Sequence, residues 1–216
     1  MLERMDVFFE NRLSGYDEHM LTTIEGADEF YKYTAAQLPL EKEAEVLDLG
    51  CGTGLELEEY FSFNPSAHIT GIDLSKAMLE TLASKFPGKN LNLICGSYFD
   101  VELGSERYHA AVSVESLHHF TGARKLSLYQ RLRRSLKADG YFILTDYFAE
   151  TAALEQEYFE TYEKLKREQG IVDDGCYHYD TPLTVEHEIA IVKQAGFSDV
   201  RILRSWGATS TLIAKR

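Results

Sequence analysis

The segment VLDLGCGTG, Val46 to Gly54, constrains the fold of this chain more than any other stretch. Residues typical of a buried β-strand lead directly into glycines at alternate positions, Gly50, Gly52 and Gly54. Glycine adopts backbone conformations that other residues avoid, and it lets a second group approach the chain closely. The pattern therefore predicts a strand that ends in a tight loop holding a ligand.

Short apolar runs alternate with helical stretches along the rest of the chain. The predicted strands are EVLDLG, HITGID, NLNLICG, YHAAVSVESL and GYFILTDYF, and helices such as SKAMLETLASKF separate them. Strands spaced in this way favour βαβ units and a mostly parallel sheet that is covered on both faces. The last two runs, DVRILRSW and TSTLIAKR, are joined tightly around Gly207, so they are predicted to pair antiparallel.

Length and composition indicate one globular domain over residues 1–216, with 44% hydrophobic residues. The sequence contains no run of about 18 apolar residues, which argues against a transmembrane helix. The first residues, MLERMDVFFENRL, carry charges where a signal peptide has an apolar centre, so a cytoplasmic location is predicted. The cysteines Cys51, Cys95 and Cys176 are widely spaced, which favours neither a disulfide framework nor a zinc site.

The formal net charge of −13 disfavours nucleic acid as a partner, because phosphate is bound mainly by Lys and Arg. The segment RKLSLYQRLRRSLK, Arg124 to Lys137, is the basic exception. Its apolar positions follow helical spacing, which predicts that its basic residues form the solvated face of a surface helix.

Two ligand classes compete for the glycine loop. Dinucleotide-binding loops follow G-x-G-x-x-G, whose third glycine would fall at position 55 or 57 of this chain. Leu55 and Leu57 occupy those positions, so a nicotinamide or flavin cofactor is disfavoured. The spacing is G-x-G-x-G, and Asp48 precedes it by two residues.

This segment resembles the first motif of the class I S-adenosylmethionine (SAM)-dependent methyltransferases. Later segments resemble the following motifs of that family in order between Ala44 and Arg216, namely GIDLS, ICGSYFD, VSVESLHHF, LKADGYFILTDY and AGFSDVRIL. The resemblance implies a Rossmann-like three-layer αβα sandwich. Its seven-stranded sheet would be mostly parallel with an antiparallel last strand, and its cofactor would be SAM.

The resemblance also assigns roles to residues of this chain. Asp48 would hold the ammonium end of SAM, Asp73 would accept hydrogen bonds from both ribose hydroxyls, and Leu74 and Met78 would flank the adenine. The family often has Asp where this chain has Ser97, so the adenine would be read by the Ser97 hydroxyl and the Tyr98 backbone. The full predicted cofactor set is Tyr16, Asp48, Gly50, Cys51, Gly52, Gly54, Asp73, Leu74, Met78, Ser97, Tyr98 and Glu115.

Catalytic candidates follow the fourth predicted strand, at the edge of the sheet where the sulfonium of SAM should lie. His119 and Glu115 are predicted as acceptor-side groups that could remove a proton. The alternative is that one histidine of the pair His118 and His119 packs in the core while the other caps the next helix. Oxygen and carbon acceptors usually need such a base, whereas neutral amines and thiols often do not.

Two segments are predicted to cover the site. Residues 1–40 would form an N-terminal helical lid that places Tyr16 over SAM, unless Tyr16 is a core aromatic residue. Residues 149–183 would form a helical cap insert between the fifth and sixth strands and select the acceptor. Asp146 and Tyr147 would line the acceptor pocket, and the aromatic and acidic residues of the insert would suit a cationic or amine-bearing molecule.

The sequence therefore predicts a SAM-dependent methyltransferase that acts on a small-molecule acceptor, without membrane partners, as a monomer or homodimer. One alternative, from a fainter resemblance in TPLTVEHEIAIVKQAGFSDVRI, is a SAM-processing or methyl-transferring enzyme of tRNA wobble-uridine modification. Another alternative is a non-catalytic SAM-binding protein. The spacing in DDGCYHYD matches no standard ligand set, so no metal ligands are predicted.

Overall fold

The structure, a computed structural model, describes residues 1–173 and 175–216. Its strands are β1 (Glu3–Arg4), β2 (Glu45–Leu49), β3 (His68–Asp73), β4 (Asn90–Cys95), β5 (Tyr108–Val114), β6 (Leu136–Tyr147), β7 (Tyr177–His178), β8 (Ser198–Trp206) and β9 (Thr209–Lys215). Its helices are α1 (Met5–Arg12), α2 (Tyr16–Thr23), α3 (Ala27–Ala35), α4 (Leu55–Phe63), α5 (Lys76–Lys85), α6 (Gly122–Ser135), α7 (Ala152–Glu168) and α8 (Val185–Gln194). A 3-10 turn spans Leu117–His119.

Seven of the strands form one sheet in the order β4-β3-β2-β5-β6-β9-β8. Strand β2 pairs in parallel with β3 and β5, whereas β9 pairs antiparallel with both β6 and β8. The predicted Rossmann-like α/β fold, with an antiparallel last strand, is therefore confirmed. The strand order reverses at β2, and open α/β sheets bind ligands at the carboxyl ends of the strands beside such a switch point.

An apolar core lies on each face of the sheet, because successive side chains of a strand point to opposite faces. Val46 of β2 joins the core that contains Phe30 of α3 and Leu57 of α4. Leu47 joins the other core, with Leu128 of α6. Fully burying one such side chain contributes about 1.5–3 kcal/mol, so the two cores fix the strand ends that carry the site.

The ends of the predicted helices follow their capping residues. The Ser75 side chain accepts a hydrogen bond from the backbone N–H of Met78, which starts α5 as the sequence predicts. Gly196 follows α8 with a φ of +100°, the left-handed conformation expected after a helix end. Among the described residues, no helix combines the length and the apolar character that a membrane span requires.

The segments predicted as lid and insert contain more than helices and loop. Strand β1 pairs antiparallel with β7, with Glu3 opposite His178 and Arg4 opposite Tyr177. The segments predicted as a helical lid and a helical insert each contain a two-residue strand at these positions. Two-residue strands carry too little sequence pattern to be recognised, because strand patterns need about four residues.

Helix α6 uses its basic residues differently from the prediction. Lys125 is 1% exposed, and its Nζ lies 2.6 Å from Oε2 of Glu188. Arg131 donates hydrogen bonds to backbone carbonyls of the segment that follows β4. These two cations therefore pair within the chain and do not belong to a solvated basic face.

Candidate functional site

A narrow cavity, called the inner cavity, lies at the carboxyl ends of β2, β3 and β5. Its volume is about 50 Å³. In the described part of the chain its lining is Met5, Phe9, Tyr16, Gly50, Gly52, Asp73, Leu74, Met78, Tyr98, Val114, Glu115, Ser116 and His119. The cavity therefore lies at the switch point of the sheet, with the glycine loop as one of its walls.

Asp73 ends β3 with its carboxylate held by backbone N–H groups. Gly52 donates to Oδ2 at 2.9 Å, and Ser75 donates to Oδ1 at 2.8 Å. Burial raises the pKa of this carboxyl, while these N–H groups act in the opposite direction. Each oxygen keeps a second lone pair, so the carboxylate can still accept hydrogen bonds from a diol such as a ribose.

The glycine loop has backbone conformations that favour glycine. Gly50 has a φ of +76°, and a Cβ built there would lie 2.1 Å from Oγ of Ser116. Gly52 has a φ of +48°, and a Cβ built there would meet no described atom within 4 Å. Gly50 is therefore required by packing against the loop after β5, whereas Gly52 borders open space where a ligand can approach the backbone.

Two buried carboxyls lie behind the loop. Asp48 and Glu56 are 1% and 4% exposed, and each carboxyl influences the pKa of the other. Burial raises the pKa of both groups, and the mutual repulsion of the two acids raises that of Asp48 further. Asp48 Oδ2 has no hydrogen-bond partner among the described residues. A buried oxygen of this kind fits a ligand ammonium group, as the family resemblance implies.

Glu56→Gln is expected to stabilise the ligand-free protein at pH 8 by about 1 kcal/mol, and to change its stability little near pH 4. The pKa of Glu56 is higher in the folded than in the unfolded protein. The free energy of unfolding of the wild type therefore falls as the pH rises above the unfolded-state pKa, because the folded protein has to ionise a buried group. The charged groups facing Glu56 are Asp48, Asp17 and Lys85. Urea unfolding at both pH values measures the difference, and a variant that is less stable at pH 8 would contradict the expectation.

Most residues predicted to bind the cofactor line the inner cavity: Tyr16, Gly50, Gly52, Asp73, Leu74, Met78, Tyr98 and Glu115. Cys51 lies outside the lining and packs behind the loop, since a Cβ built on Gly71 would lie 2.8 Å from its Sγ. The Ser97 hydroxyl accepts a hydrogen bond from the backbone N–H of Phe99. It stabilises the turn after β4 and does not line the inner cavity.

The other two predicted residues outside the lining are Asp48, described above, and Gly54. Gly54 precedes α4 with a φ of +74°, and a Cβ built there would lie 3.2 Å from the Leu82 side chain of α5. The sequence did not identify Met5, Phe9, Val114 and Ser116 as lining residues. Met5 and Phe9 belong to the N-terminal segment for which only Tyr16 was named.

Glu115 follows β5 and has an unusual backbone conformation for a non-glycine residue, with a φ of +48°. Such strain is concentrated at functional sites, where the surrounding structure maintains it. The Thr209 hydroxyl donates to Oε1 of Glu115 at 3.2 Å. Burial raises the pKa of Glu115 to about 7, with the nearby His118 acting against this rise.

A larger cavity, called the outer cavity, adjoins the inner one and has a volume of about 730 Å³. It is lined within the described residues by Phe8, Phe9, Asn11, Arg12, Ser14, Gly15, Tyr16, His19, Met20, Ile24, Glu115, His118, His119, Tyr147, His178, Asp180 and Thr209. Both cavities share the side chains of Phe9, Tyr16, Glu115 and His119, which we call the shared wall. Groups bound in the two cavities would therefore lie close to each other at this wall.

The insert contributes His178 and Asp180 to the outer cavity. Tyr147, predicted to line an acceptor pocket, lines the outer cavity, and its hydroxyl lies 2.9 Å from that of Tyr158. The aromatic residues Tyr162 and Tyr179 stack on each other instead. The outer cavity contains Arg12 as well as Asp180 of the insert, so its lining has charges of both signs.

His118 is the residue of this site that the sequence analysis did not select. Its Nδ1 lies 2.5 Å from Oδ1 of Asp146, which was predicted to line the pocket and instead lies buried behind this ring. Burial alone would lower the pKa of His118, but the carboxylate of Asp146 outweighs burial and raises it to about 9. The backbone N–H of Leu117 donates to the other oxygen of Asp146 and fixes that carboxylate.

His119, a predicted catalytic residue, lies on the shared wall. Burial and the neighbouring His118 lower its pKa to about 4, so its imidazole is neutral at pH 7. Its Nδ1 lies 3.0 Å from Oδ1 of Asp180. Although burial alone would raise it, the pKa of Asp180 is well below its usual range because of His119 and His118. The two predicted catalytic residues, Glu115 and His119, are thus brought together at one wall.

Comparisons with known proteins agree with this geometry. A family model described as a methyltransferase domain matches residues 46–140. The carboxy-S-adenosyl-L-methionine synthase of Wolinella succinogenes is 29% identical, over 99% of this chain and 92% of that protein. The malonyl-[acyl-carrier protein] O-methyltransferase of Bacillus anthracis is 26% identical, over 60% of this chain and 46% of its own.

A solved structure with the same fold is the S-adenosylmethionine-dependent methyltransferase from Mesorhizobium loti. It superposes with a TM-score of 0.64 at 15% identity, covering 88% of this chain and 99% of that one. At this identity the likeness concerns the fold alone.

Proposed function

Since this chain is a class I SAM-dependent methyltransferase, we propose that it methylates a small molecule held in the outer cavity while SAM occupies the inner one. The observation that carries the proposal is the shared wall, because methyl transfer requires donor and acceptor atoms to meet at one point. Four side chains, Phe9, Tyr16, Glu115 and His119, border both cavities. That point is therefore assigned to the gap between these side chains.

The protein groups around the inner cavity match the parts of SAM. Asp73 offers a carboxylate to the ribose. Asp48 lies behind the glycine loop, outside the lining, so its unpaired oxygen would serve the ammonium group through a bridging water. Leu74 and Met78 offer apolar surface for the adenine. When bound, SAM supplies a methyl group activated by a sulfonium.

The chain's own contribution is orientation and the exclusion of water. Met5 and Phe9 of α1 and Tyr16 of α2 cover the inner cavity with apolar surface. Asp17 of α2 connects this cover to the glycine loop and to α5. Its carboxylate accepts hydrogen bonds from Thr53 of the loop and from Lys85 at the end of α5. Such a cover keeps water away from the reacting atoms and fixes the acceptor in line with the methyl group.

Glu115 is the proposed base, which would remove a proton from the substrate where the methyl group goes to an oxygen or carbon atom. It lies on the shared wall, and both the strained backbone and the bond from Thr209 fix its position. A base in this place removes the acceptor's proton as the new bond forms. His119, the other predicted catalytic residue, lies on the same wall. Its low pKa makes it a weak base, so its proposed role is to orient the acceptor.

Glu115→Gln is expected to lower turnover by about ten-fold, while the affinity for SAM changes by less than about three-fold. Glutamine keeps the size and the bond from Thr209 but cannot accept the proton. Initial rates at saturating acceptor, together with calorimetric titration of SAM, separate the two effects. Equal rates for variant and wild type would remove Glu115 from the chemistry.

A second candidate function is the synthesis of carboxylated SAM, because a protein of that name resembles this chain over nearly its whole length. A carboxylate next to the sulfonium needs a cation near the shared wall. Within the described residues, two cations line the outer cavity, and each already has a carboxylate partner. The Arg12 guanidinium pairs with Glu3, and the His118 ring pairs with Asp146. The geometry therefore favours methyl transfer over this alternative.

The deciding experiment is mass spectrometry of the products formed from SAM. Methyl transfer gives S-adenosylhomocysteine and a methylated acceptor, and it should appear with a member of a panel of small hydroxy, amino and thiol compounds. Carboxylation needs a carboxyl donor, so a parallel panel contains small carboxylic acids; a product heavier than SAM by CO2, in which a carboxyl group from the added acid replaces one hydrogen, would establish the second candidate. Tight SAM binding without any product over the panel would favour a non-catalytic SAM-binding protein and overturn the proposal.

A further inference from the structure

We propose that His118, His119 and Asp180 form a binding site for one divalent transition-metal ion at the outer cavity. One ligand atom from each residue lies within 4.8 Å of the other two. Asp180 Oδ1 is 3.0 Å from Nδ1 of His119 and 3.6 Å from Nε2 of His118. Two atoms bound to one zinc ion at about 2.1 Å are about 3.0–3.4 Å apart, so both distances are near those of a ligand set.

The pairing of His119 with Asp180 leaves the ring nitrogen unsatisfied. Despite the 3.0 Å separation, Nδ1 of His119 forms no hydrogen bond of acceptable geometry with any described residue. The His119 side chain is only 5% exposed, so water has little access to this nitrogen. A buried polar atom without a partner costs about 1–3 kcal/mol. An ion between the nitrogen and the carboxylate would satisfy both.

Asp146 gives His118 the support that metal-binding histidines usually have. Its Oδ1 lies 2.5 Å from Nδ1 of His118, and its own oxygens accept bonds from the backbone N–H groups of Leu117 and Tyr147. A carboxylate on one ring nitrogen fixes the tautomer and directs the other nitrogen outward as a lone-pair donor. Here the other nitrogen, Nε2, lies 3.6 Å from Oδ1 of Asp180, and an ion bound there would displace the proton that this nitrogen carries in the charged ring.

The chemistry of the ligands selects the class of ion. Two imidazole nitrogens and one carboxylate oxygen suit zinc, iron, cobalt or nickel in the divalent state, whereas magnesium and calcium prefer oxygen ligands. All three ligand residues line the outer cavity of about 730 Å³, so an ion held by them would be reached from that cavity. Sites with three protein ligands and open positions bind exchangeable water or a substrate.

A neighbouring set, Glu115, His118 and Asp146, also has ligand atoms within 4.8 Å of one another. It is the weaker candidate because Glu115 already accepts from Thr209, and Asp146 accepts from backbone N–H groups and pairs with His118. An ion held by the first set would bind an acceptor through an oxygen or nitrogen atom. That consequence rests on the proposed function, whereas the metal site does not.

The test is titration of the chelator-treated full chain with Co²⁺, followed by its visible absorption, and then displacement by Zn²⁺, with no SAM present. The wild type should bind one ion with micromolar affinity or better. Asp180→Asn and His119→Ala should each weaken binding at least about ten-fold. The matched control is His187→Ala, which removes an exposed histidine paired with Glu155 outside the outer cavity and should leave binding unchanged.

Circular dichroism and calorimetric titration with SAM accompany each metal titration, so that folding and cofactor binding are known for the same sample. Asp180 is 43% exposed in a surface segment, so its substitution is the variant that should keep the fold. Folded wild type that binds SAM but no ion overturns the metal site alone. Equal cobalt binding by wild type and Asp180→Asn overturns the metal site as well. A wild type that does not bind SAM would contradict the proposed function and leave the metal site unaffected.

Discussion

Replacing Asp73 with alanine should weaken SAM binding by about 100-fold, equivalent to about 2.7 kcal/mol. The Asp73 carboxylate is buried at the end of β3, where it faces the inner cavity. Alanine removes an acceptor for the two ribose hydroxyls, and charge-assisted hydrogen bonds of this kind are the stronger class. It also frees the N–H of Gly52, which the carboxylate holds at 2.9 Å, so the glycine loop loses an anchor. Calorimetric titration with SAM measures the loss.

Two further variants separate the causes. Asp73→Asn keeps an acceptor of the same shape without the charge, so it should weaken SAM binding by about ten-fold, less than alanine does. Asp139→Ala removes an exposed carboxylate near the other end of the sheet and should leave SAM affinity unchanged. Affinity within three-fold of wild type for Asp73→Ala would contradict the assignment of Asp73 to the ribose.

The second large effect concerns Gly50, whose replacement by alanine should lower the free energy of unfolding by about 3 kcal/mol. The new methyl group would lie 2.1 Å from Oγ of Ser116, and its backbone would stay at a φ of +76°. Overpacking and left-handed strain then add to each other. Urea unfolding of the ligand-free protein measures the change.

Gly52→Ala is the matched control within the same loop. Its φ is +48°, and its methyl group would meet no described atom within 4 Å, so it should cost only about 1 kcal/mol of stability. Its methyl group borders the inner cavity instead, so its main effect should be on SAM affinity. Ser116→Gly should restore part of the stability lost by Gly50→Ala. Equal destabilisation by both glycine variants would refute the close approach of Gly50 to Ser116.

The fold could be predicted from the sequence because its signals are local and repeated. Buried strands such as Val46 to Leu49 lead into glycines or acids, and helices begin at residues such as Ser75, whose side chain caps α5. Each signal depends on neighbours in the chain, so a single sequence contains it. The pairing of β1 with β7 joins residues 3 and 178, and such short, distant partners leave no local pattern.

The site was predicted where one motif contains it and missed where distant segments meet. Gly50, Gly52 and Asp73 line the inner cavity because they end adjacent parallel strands. His118 was passed over in favour of His119, since only the structure places Asp146 against its ring. Asp180 comes from the insert, and its approach to both histidines depends on how residues 149–183 fold back.

The predicted division into a lid at residues 1–40 and an insert at 149–183 stays a prediction, as do the individual cofactor contacts. The structure adds one connection between these segments, the β1–β7 pair. Backbone hydrogen bonds therefore join residues of the predicted lid to residues of the predicted insert. The periodicity of the sequence gives no sign of this pairing.

The shared wall has a thermodynamic consequence. The inner cavity of about 50 Å³ is much smaller than a nucleotide-sized molecule, so the proposed binding of SAM requires side chains of its lining to move, Phe9 and Tyr16 among them. Those side chains also border the outer cavity, so its shape changes in the same movement. Each ligand then alters the affinity of the other by the same factor, because linkage between two sites is reciprocal. Donor and acceptor are thus coupled in equilibrium before any bond is made or broken.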